Sequence, residues 1–179
     1  TVNAGTDDAT CEGSSFAITT ASANNFSSLS WISSGTGTFS SSTILSPTYT
    51  PSSADEVAGT VVLTLTANGN SPCPSIPDSL VLSITTAPTV NAGTDDATCE
   101  GSSFAITTAS ANNFSSLSWT SSGTGAFSNS TLLSPIYTPS LADETAGALV
   151  LTLTANGNSP CSSISDSLVL SITTAPTVN

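Results

Sequence analysis

The sequence is a near-perfect duplication. The segment that begins TVNAGTDDATCEGSSF at Thr1 recurs at Thr89, and across this period of 88 residues only eleven positions differ. A repeat of this length can enclose its own hydrophobic core and is far longer than a solenoid repeat. We therefore expect two tandem domains, residues 1–88 and 89–176, and we interpret residues 177–179, which repeat TVN, as the start of a third copy in a longer array.

The charge composition excludes several classes of function. The chain has no Lys, Arg or His, and twelve Asp and Glu residues give it a formal net charge of −12. Without cations, binding to nucleic acid or to anionic lipid lacks its main attraction. The usual general bases and Ser–His or Ser–Lys nucleophile pairs are missing too. No run approaches the roughly 18 to 20 apolar residues of a membrane span. We predict no enzyme, no cofactor, no nucleic-acid partner and no membrane span.

Alternating apolar and polar residues indicate β-strands throughout each copy. In the first copy the alternation is longest at residues 61–67 and 80–84, where every second side chain is aliphatic. Gly, Pro and Asn interrupt the chain at intervals too short for helices, except at residues 53–58, which fit a single helical turn. About seven strands in each copy predict an all-β fold of two tandem antiparallel β-sandwich domains of immunoglobulin-like size.

The aromatic residues have two interpretations. Trp31 lies in phase with Leu29 on an alternating strand, which favours a position in the core. We expect Tyr49 and Phe39 to pack in the core or at its edge as well. An exposed Trp would instead offer a stacking platform for sugars.

Each copy contains two cysteines, Cys11 and Cys73 in the first and Cys99 and Cys161 in the second. Four cysteines allow three pairings, and the even number in each copy favours bonds within the copy. Closing a loop of 62 residues between Cys11 and Cys73 would stabilise the fold by roughly 4 kcal/mol. Disulfides also indicate an oxidising, extracellular setting.

The predicted sandwich raises a difficulty for this pairing, because it places Cys11 and Cys73 at opposite ends of the domain. Two arrangements resolve it. Either the first strand is kinked near Gly5, so that Cys11 runs alongside the last strand and bonds within its copy, or Cys11 meets Cys161 of the next copy. We favour the bond within the copy.

The carboxylates suggest one metal hypothesis. Hard oxygen ligands near a domain junction, with no cationic partner, would be relieved by Ca²⁺, and the candidates are Asp7, Asp8, Asp95 and Asp96. Solvated surface charge is the alternative. The sequence has no Asp-x-Asp-x-Asp ladder, and two thiolates in each copy without His cannot complete a zinc site. We therefore assign no metal ligand and leave the calcium hypothesis open.

Two kinds of glycosylation site are present. The sequence Asp-Ser-Leu around Ser79 and Ser167 resembles the acceptor motif of a general O-glycosylation system of Bacteroidetes, so these hydroxyls are candidate acceptors. Asn25, Asn113 and Asn129 stand in formal N-glycosylation sequons.

Several separated motifs carry a family resemblance. PTVNAGTDDATCEG, W-x-SSGTG-x-F, LTLTANGNSPC and DSLVLSIT resemble the Ig-like or PKD-like repeats of very large secreted and surface proteins of Bacteroidetes. The resemblance implies extracellular, cell-surface spacers or adhesin stalks with no catalytic residues. The chain departs from antibody domains, because Ser71 stands where a Tyr would precede the second cysteine.

Together these features predict a structural repeat segment of an extracellular fibre, filament or adhesin stalk. Its expected partners are neighbouring repeats of the same chain, identical chains in a filament, and glycans. The alternative is a carbohydrate- or surface-binding module of a secreted protein, which an exposed row of aromatic residues at matching positions of both copies would favour.

Overall fold

The computed structural model describes residues 1–176 and divides into two compact units. Unit 1 comprises Thr1–Ala87 together with Ser159–Cys161, and unit 2 comprises Pro88–Asn158 and the chain from Ser162 onward. The predicted third copy at residues 177–179 lies outside the described residues.

The first copy forms nine strands and one short helix within the described residues. In chain order these are β1 Val2–Asn3, β2 Asp8–Cys11, β3 Phe16–Ala17, β4 Ser22–Ala23, β5 Phe26–Ser33, β6 Thr38–Phe39, β7 Thr48–Thr50, α1 Ser53–Ala58, β8 Thr60–Gly69 and β9 Ile76–Thr85.

The second copy forms the same elements in the same order. They are β10 Thr89–Asn91, β11 Asp96–Cys99, β12 Phe104–Ala105, β13 Ser110–Asn112, β14 Phe114–Ser121, β15 Ala126–Phe127, β16 Ile136–Thr138, α2 Leu141–Ala146, β17 Ala148–Gly157 and β18 Ile164–Thr173. The predicted all-β fold of two tandem immunoglobulin-like sandwiches is confirmed.

Each unit encloses its core between two sheets. In unit 1 a four-stranded sheet, in the order β2-β9-β8-β5, packs with a three-stranded sheet, β3-β7-β6. The hairpin of β8 and β9 pairs Leu63 with Leu80 and Val61 with Leu82. All four side chains are therefore on the buried face, as the alternation predicts. Unit 2 repeats this arrangement with β11-β18-β17-β14 and β12-β16-β15.

The predicted kink at Gly5 is present and moves the chain from one strand pair to another. Gly5 has φ 109°, and a Cβ there would collide with Thr20 Oγ1. Before the kink β1 pairs with β4, and after it β2 pairs with β9 in parallel, from Asp8 opposite Leu82 to Cys11 opposite Thr85. The larger sheet thus contains one parallel edge pair in an otherwise antiparallel sandwich.

The helical turn predicted at residues 53–58 is α1. Ser52 caps its N-terminus by accepting a hydrogen bond from the Asp55 backbone N–H, and Gly59 ends it in the left-handed conformation. No helix within residues 1–176 has the length or apolar character needed to cross a membrane.

The two units differ at one buried tryptophan. Trp31 Nε1 donates to the Ile44 carbonyl at 3.1 Å, whereas the buried Trp119 Nε1 has no hydrogen-bond partner among the described residues. In the adjoining loop of unit 2, Asn129 replaces a serine and accepts two hydrogen bonds from Thr131. An unpaired buried donor costs about 1 to 3 kcal/mol, so unit 2 lacks one stabilising contact that unit 1 has.

Candidate functional site: the carboxylate contacts and the disulfide

The aromatic residues of each copy pack against one another in the core. Trp31 is 2% exposed and Tyr49 is fully buried, while Phe39 lies half-buried between them. The ring centroids of Trp31 and Phe39 are 5.8 Å apart, and those of Phe39 and Tyr49 are 4.9 Å apart. The prediction that these side chains pack in the core or at its edge is confirmed, and Trp31 and Tyr49 offer no exposed stacking platform.

Asp55 is a buried carboxylate surrounded by hydrogen-bond donors. It is 2% exposed. Its Oδ2 accepts from Tyr49 Oη at 2.7 Å, from the Gly37 N–H at 2.8 Å and from the Ser52 N–H at 3.1 Å. Its Oδ1 accepts from the Thr36 N–H at 2.9 Å. One side chain therefore joins the start of α1, strand β7 and the turn between β5 and β6.

The close approach of this turn explains the Gly-Thr-Gly sequence. A Cβ at Gly35 would collide with Asp55 Oδ1, and a Cβ at Gly37 would lie within 2.7 Å of Asp55 Oδ2. Only glycine lets the backbone come close enough for its N–H groups to reach the carboxylate. Gly123 and Gly125 stand in the same relation to Asp143 in unit 2.

The donors keep the buried carboxylates ionised. Burial alone would raise the pKa of Asp143, but hydrogen bonds from the Ser140 and Thr124 N–H groups, Tyr137 Oη and the Gly125 N–H outweigh it and lower the pKa to about 2. The pKa of Asp55 is lowered for the same reason, against the effect of burial. Burial raises the pKa of Tyr137, which stays a protonated donor at neutral pH.

Two further carboxylates hold the chain on either side of the Gly5 kink. Asp78 Oδ2, on β9, accepts from the Ala4 N–H at 2.7 Å. Asp7 Oδ1 accepts from the Val81 N–H at 2.8 Å. The N-terminal segment is therefore fixed to β9 by one contact before the kink and one after it.

All the other carboxylates also accept a backbone N–H. In unit 1 the pairs are Asp8 with Ala9 (2.8 Å), Glu12 with Ala87 (3.0 Å) and Glu56 with Gly13 (2.9 Å). In unit 2 they are Asp95 with Val169 (2.8 Å), Asp96 with Ala97 (2.8 Å), Glu100 with Ala175 (3.3 Å), Glu144 with Gly101 (2.8 Å) and Asp166 with Ala92 (2.8 Å). Because the chain has no cationic side chain, backbone N–H groups serve its carboxylates where salt bridges would do so in other proteins.

The hydrogen bonds to these carboxylates involve the residues that were proposed as calcium ligands. Each of the four candidate ligands, Asp7, Asp8, Asp95 and Asp96, gives one oxygen to a backbone N–H. Within residues 1–176 no group of three or more His, Cys, Asp or Glu side chains is placed so that it could hold a metal ion.

Sequence reasoning missed the role of Asp55 and Asp143, and one signal could have revealed it. Ser52 and Asp55, like Ser140 and Asp143, have the Ser-x-x-acid spacing of a capping box. That spacing places the carboxylate at the start of a helix. It does not reveal that the glycine turn and the tyrosine converge on the same oxygens.

The structure joins Cys11 to Cys161, with a Cα–Cα distance of 4.9 Å and a sequence separation of 150. Both sulfurs belong to unit 1, which takes in Ser159–Cys161. Cys73 and Cys99 are free, exposed thiols. The favoured pairing within each copy is therefore wrong, and the alternative, in which Cys11 meets the second cysteine of the next copy, is the one observed.

The length of β9 explains this correction. Cys11 lies opposite Thr85, at the end of β9, whereas Cys73 lies three residues before Ile76, at its start. Ten residues of strand span about 33 Å, while a disulfide needs Cα atoms within about 7 Å. The kink does bring Cys11 alongside the last strand, but to the end far from Cys73.

The candidate O-glycosylation sites lie on the outer face of the larger sheet. Ser79 and Ser167 are exposed, and their hydroxyls pair with those of Thr64 and Thr152 at 2.8 Å. Glycosylation at these residues stays a prediction.

The fold defines this chain as a tandem repeat of immunoglobulin-like β-sandwich units. No protein-family model matches the chain, and no curated protein sequence matches it. Similar solved structures include protocadherin gammaB7 EC3-6, described as a cis-dimer (13% identity, 95% of this chain and 46% of that chain covered, TM-score 0.42). Mouse cadherin-23 EC22-24 is 14% identical, with 94% of this chain and 63% of that chain covered and a TM-score of 0.43. Sidekick-1 immunoglobulin domains 1–4 are 18% identical, with 95% of this chain and 47% of that chain covered and a TM-score of 0.49. The chain thus spans less than two thirds of each of these structures.

We predict that Asp143→Asn destabilises unit 2. The amide keeps the size of the side chain but turns an NH₂ group towards N–H and O–H donors, and each donor that loses its acceptor costs about 1 to 3 kcal/mol. We expect the free energy of unfolding in urea to fall by about 2 to 4 kcal/mol. The control is Asp96→Asn, at an exposed carboxylate that within residues 1–176 accepts its hydrogen bond from its neighbour Ala97, with an effect within about 0.5 kcal/mol. Equal losses in the two variants would contradict this account.

The lowered pKa of Asp143 also predicts an acid-sensitive stability. The pKa is about 2 in the folded chain against an ordinary value of 3.8. Its contribution is therefore complete above the ordinary value and is lost as the pH falls towards 2. Unfolding free energies measured between about pH 6 and pH 2 should decline steeply below about pH 4. Asp143→Asn should flatten that decline and Asp96→Asn should leave it unchanged; a slope that Asp143→Asn does not alter would refute the assignment.

Proposed function

We propose that the chain is a structural repeat segment of an extracellular fibre, filament or adhesin stalk, and that it is not an enzyme. The observation that carries this proposal is the Cys11–Cys161 bond, which spans 150 residues of sequence. Its consequence is mechanical. Tension applied at the two ends of the chain passes from Cys11 to Cys161 through the sulfur atoms and bypasses residues 12–160.

The bypassed segment contains most of both cores. Strands β5, β8 and β9 of the first copy lie within it, and so do β14 and β17 of the second. The disulfide keeps direct tension off these strands while it is intact, whereas β2 and β18 lie outside the bypass and stay under load where they pair with β9 and β17. A segment built to withstand pulling benefits from such a covalent bypass, whereas a free binding module or an enzyme has no need of one.

The carboxylates support a non-catalytic role. An acid–base pair needs two acids facing each other across a cleft. Here every carboxylate accepts a backbone N–H, and the two most buried, Asp55 and Asp143, hold a helix cap, a tyrosine and a turn together. The carboxylate chemistry of the chain is therefore used to fix the fold.

The burial of the aromatic residues weakens the alternative of a carbohydrate-binding module. That module would need exposed aromatic faces at matching positions, but Trp31 and Trp119 are 2% and 3% exposed, and Tyr49 and Tyr137 are fully buried.

An extracellular, cell-surface location is part of the proposal. Disulfides persist in oxidising compartments outside the cytoplasm. The expected partners are neighbouring repeats of the same chain and identical chains in a filament. Glycans on Ser79 and Ser167 would lie on an exposed face.

Single-molecule pulling tests the proposal. With the chain held at its two termini, we expect the oxidised protein to extend by only the short segments outside the disulfide. Reduction should release about 150 further residues, or about 500 Å of contour length at about 3.3 to 3.6 Å per residue.

Two variants serve as controls for this experiment. Cys161→Ser should extend fully without reductant, whereas Cys73→Ser, which removes a free thiol, should remain protected. Full extension of the oxidised wild-type chain would contradict the proposed mechanical role.

A further inference from the structure

The two free cysteines are the counterparts of the two bonded ones. Cys99 occupies in the second copy the position of Cys11 in the first, and Cys73 occupies in the first copy the position of Cys161 in the second. The structure thus contains one completed pair of this type and, in Cys99 and Cys73, one unpaired member of each kind.

The residues around Cys11 form a surface that receives the loop carrying Cys161. We call Cys11, Glu12, Thr85 and Ala87 the cysteine platform of unit 1. The Cys161 sulfur lies 3.4 Å from the Thr85 carbonyl oxygen, and Thr85 Oγ1 makes a long hydrogen bond of 3.4 Å to the Ser159 carbonyl. All of these residues belong to unit 1.

The same platform is already formed around Cys99. In unit 1 the Glu12 N–H donates to Thr85 O at 2.8 Å, and the Ala87 N–H donates to Glu12 Oε2 at 3.0 Å. The second platform consists of Cys99, Glu100, Thr173 and Ala175, and its two corresponding hydrogen bonds measure 2.8 and 3.3 Å. Its backbone is therefore organised before any loop binds, which lowers the cost of binding.

The exposure of equivalent residues in the two copies shows which cysteine platform and which Ser-Pro-Cys loop lack a partner. In the bonded pair Cys161 is 8% exposed and Cys11 and Thr85 are half-buried. The equivalent residues Cys73, Cys99 and Thr173 are all exposed. The platform residues are identical in the two copies, and the Ser-Pro-Cys loops differ only after the cysteine, where Pro74 is replaced by Ser162.

We propose that Cys99 and Cys73 are the open ends of a disulfide ladder, in which the first cysteine of one repeat bonds the second cysteine of another copy of the same repeat. The ladder rests on the proposed structural function and specifies the partner. It would extend the covalent bypass of residues 12–160 from copy to copy, so that a whole array would resist unravelling.

The bond forms by thiol–disulfide exchange with a small disulfide such as oxidised glutathione. The Cys99 thiolate attacks it, expels one glutathione thiolate and forms a mixed disulfide. The Cys73 thiolate of a second chain then attacks the Cys99 sulfur and expels the second glutathione thiolate. The two protein thiols lose two electrons and two protons in total, and the oxidised glutathione takes them up to become two thiols.

The test uses two variants of the full chain in a glutathione redox buffer. Cys73→Ser keeps only Cys99 free, and Cys99→Ser keeps only Cys73 free. We expect each variant alone to stay almost wholly monomeric, and the mixture to give about ten times more disulfide-linked dimer on a non-reducing gel than either variant alone, equivalent to about 1.4 kcal/mol. In urea, which removes the platform, this preference should disappear.

Oxidised wild-type chain provides the second measurement. Chymotrypsin places Cys99 in residues 83–104 and Cys73 in residues 66–80, and the ladder predicts that these two peptides are cross-linked between chains. Like-with-like dimers in random proportion, a bond between Cys73 and Cys99 of one chain, or no linked product would each overturn the ladder. If the chain is protected under tension but never forms the Cys99–Cys73 bond, the ladder is wrong and the proposed function still stands.

Discussion

The fold depends on how a chain without a single cationic side chain accommodates its carboxylates. Asp55 and Asp143 are the buried ones, and each is held by donors from three separate segments. Hydrogen bonds to a charged acceptor contribute more than neutral ones, about 1.5 to 3 kcal/mol each. In unit 1 these hydrogen bonds fix the turn between β5 and β6 and the tyrosine of β7 to the start of α1. In each unit the glycine turn, the buried tyrosine and the helix cap all donate hydrogen bonds to the same carboxylate.

The local features of the fold could be predicted from the sequence. Alternation identified β8 and β9, the phase of Trp31 placed it in the core, and residues 53–58 form the expected helical turn. The kink near Gly5 was one of the two arrangements predicted for Cys11, because it would let Cys11 run alongside the last strand. These features depend on neighbouring residues, which a single sequence displays directly.

The candidate site could be predicted only in part, because its contacts join distant parts of the chain. The hydrogen bonds from Ala4 to Asp78 and from Val81 to Asp7 each span 74 residues, and no local pattern marks either. The choice of cysteine partner depended on which end of β9 lies beside Cys11. That depends on the direction and register in which β2 pairs with β9, which the cysteine spacing does not reveal.

The N-terminal segment combines both kinds of contact. Asp7 and Asp78 fix it to β9, and Cys11 ends it with a covalent bond. In the proposed mechanical role this segment would carry tension, and it is held to β9 by these two hydrogen bonds and by the β2–β9 pairing. Under the proposed role the disulfide keeps direct tension off residues 12–160, while β18 of unit 2 stays in the path of the force.

The identity of the Cys11 partner is the central claim, and disulfide mapping of the non-reduced chain tests it most directly. Trypsin has no site in this sequence, but chymotrypsin places Cys11 in residues 1–16, Cys73 in 66–80 and Cys161 in 154–168, and the last two peptides differ in mass through Pro74/Ser162 and Pro77/Ser165. We predict that peptide 1–16 is cross-linked to 154–168. A cross-link from 1–16 to 66–80 would contradict the account.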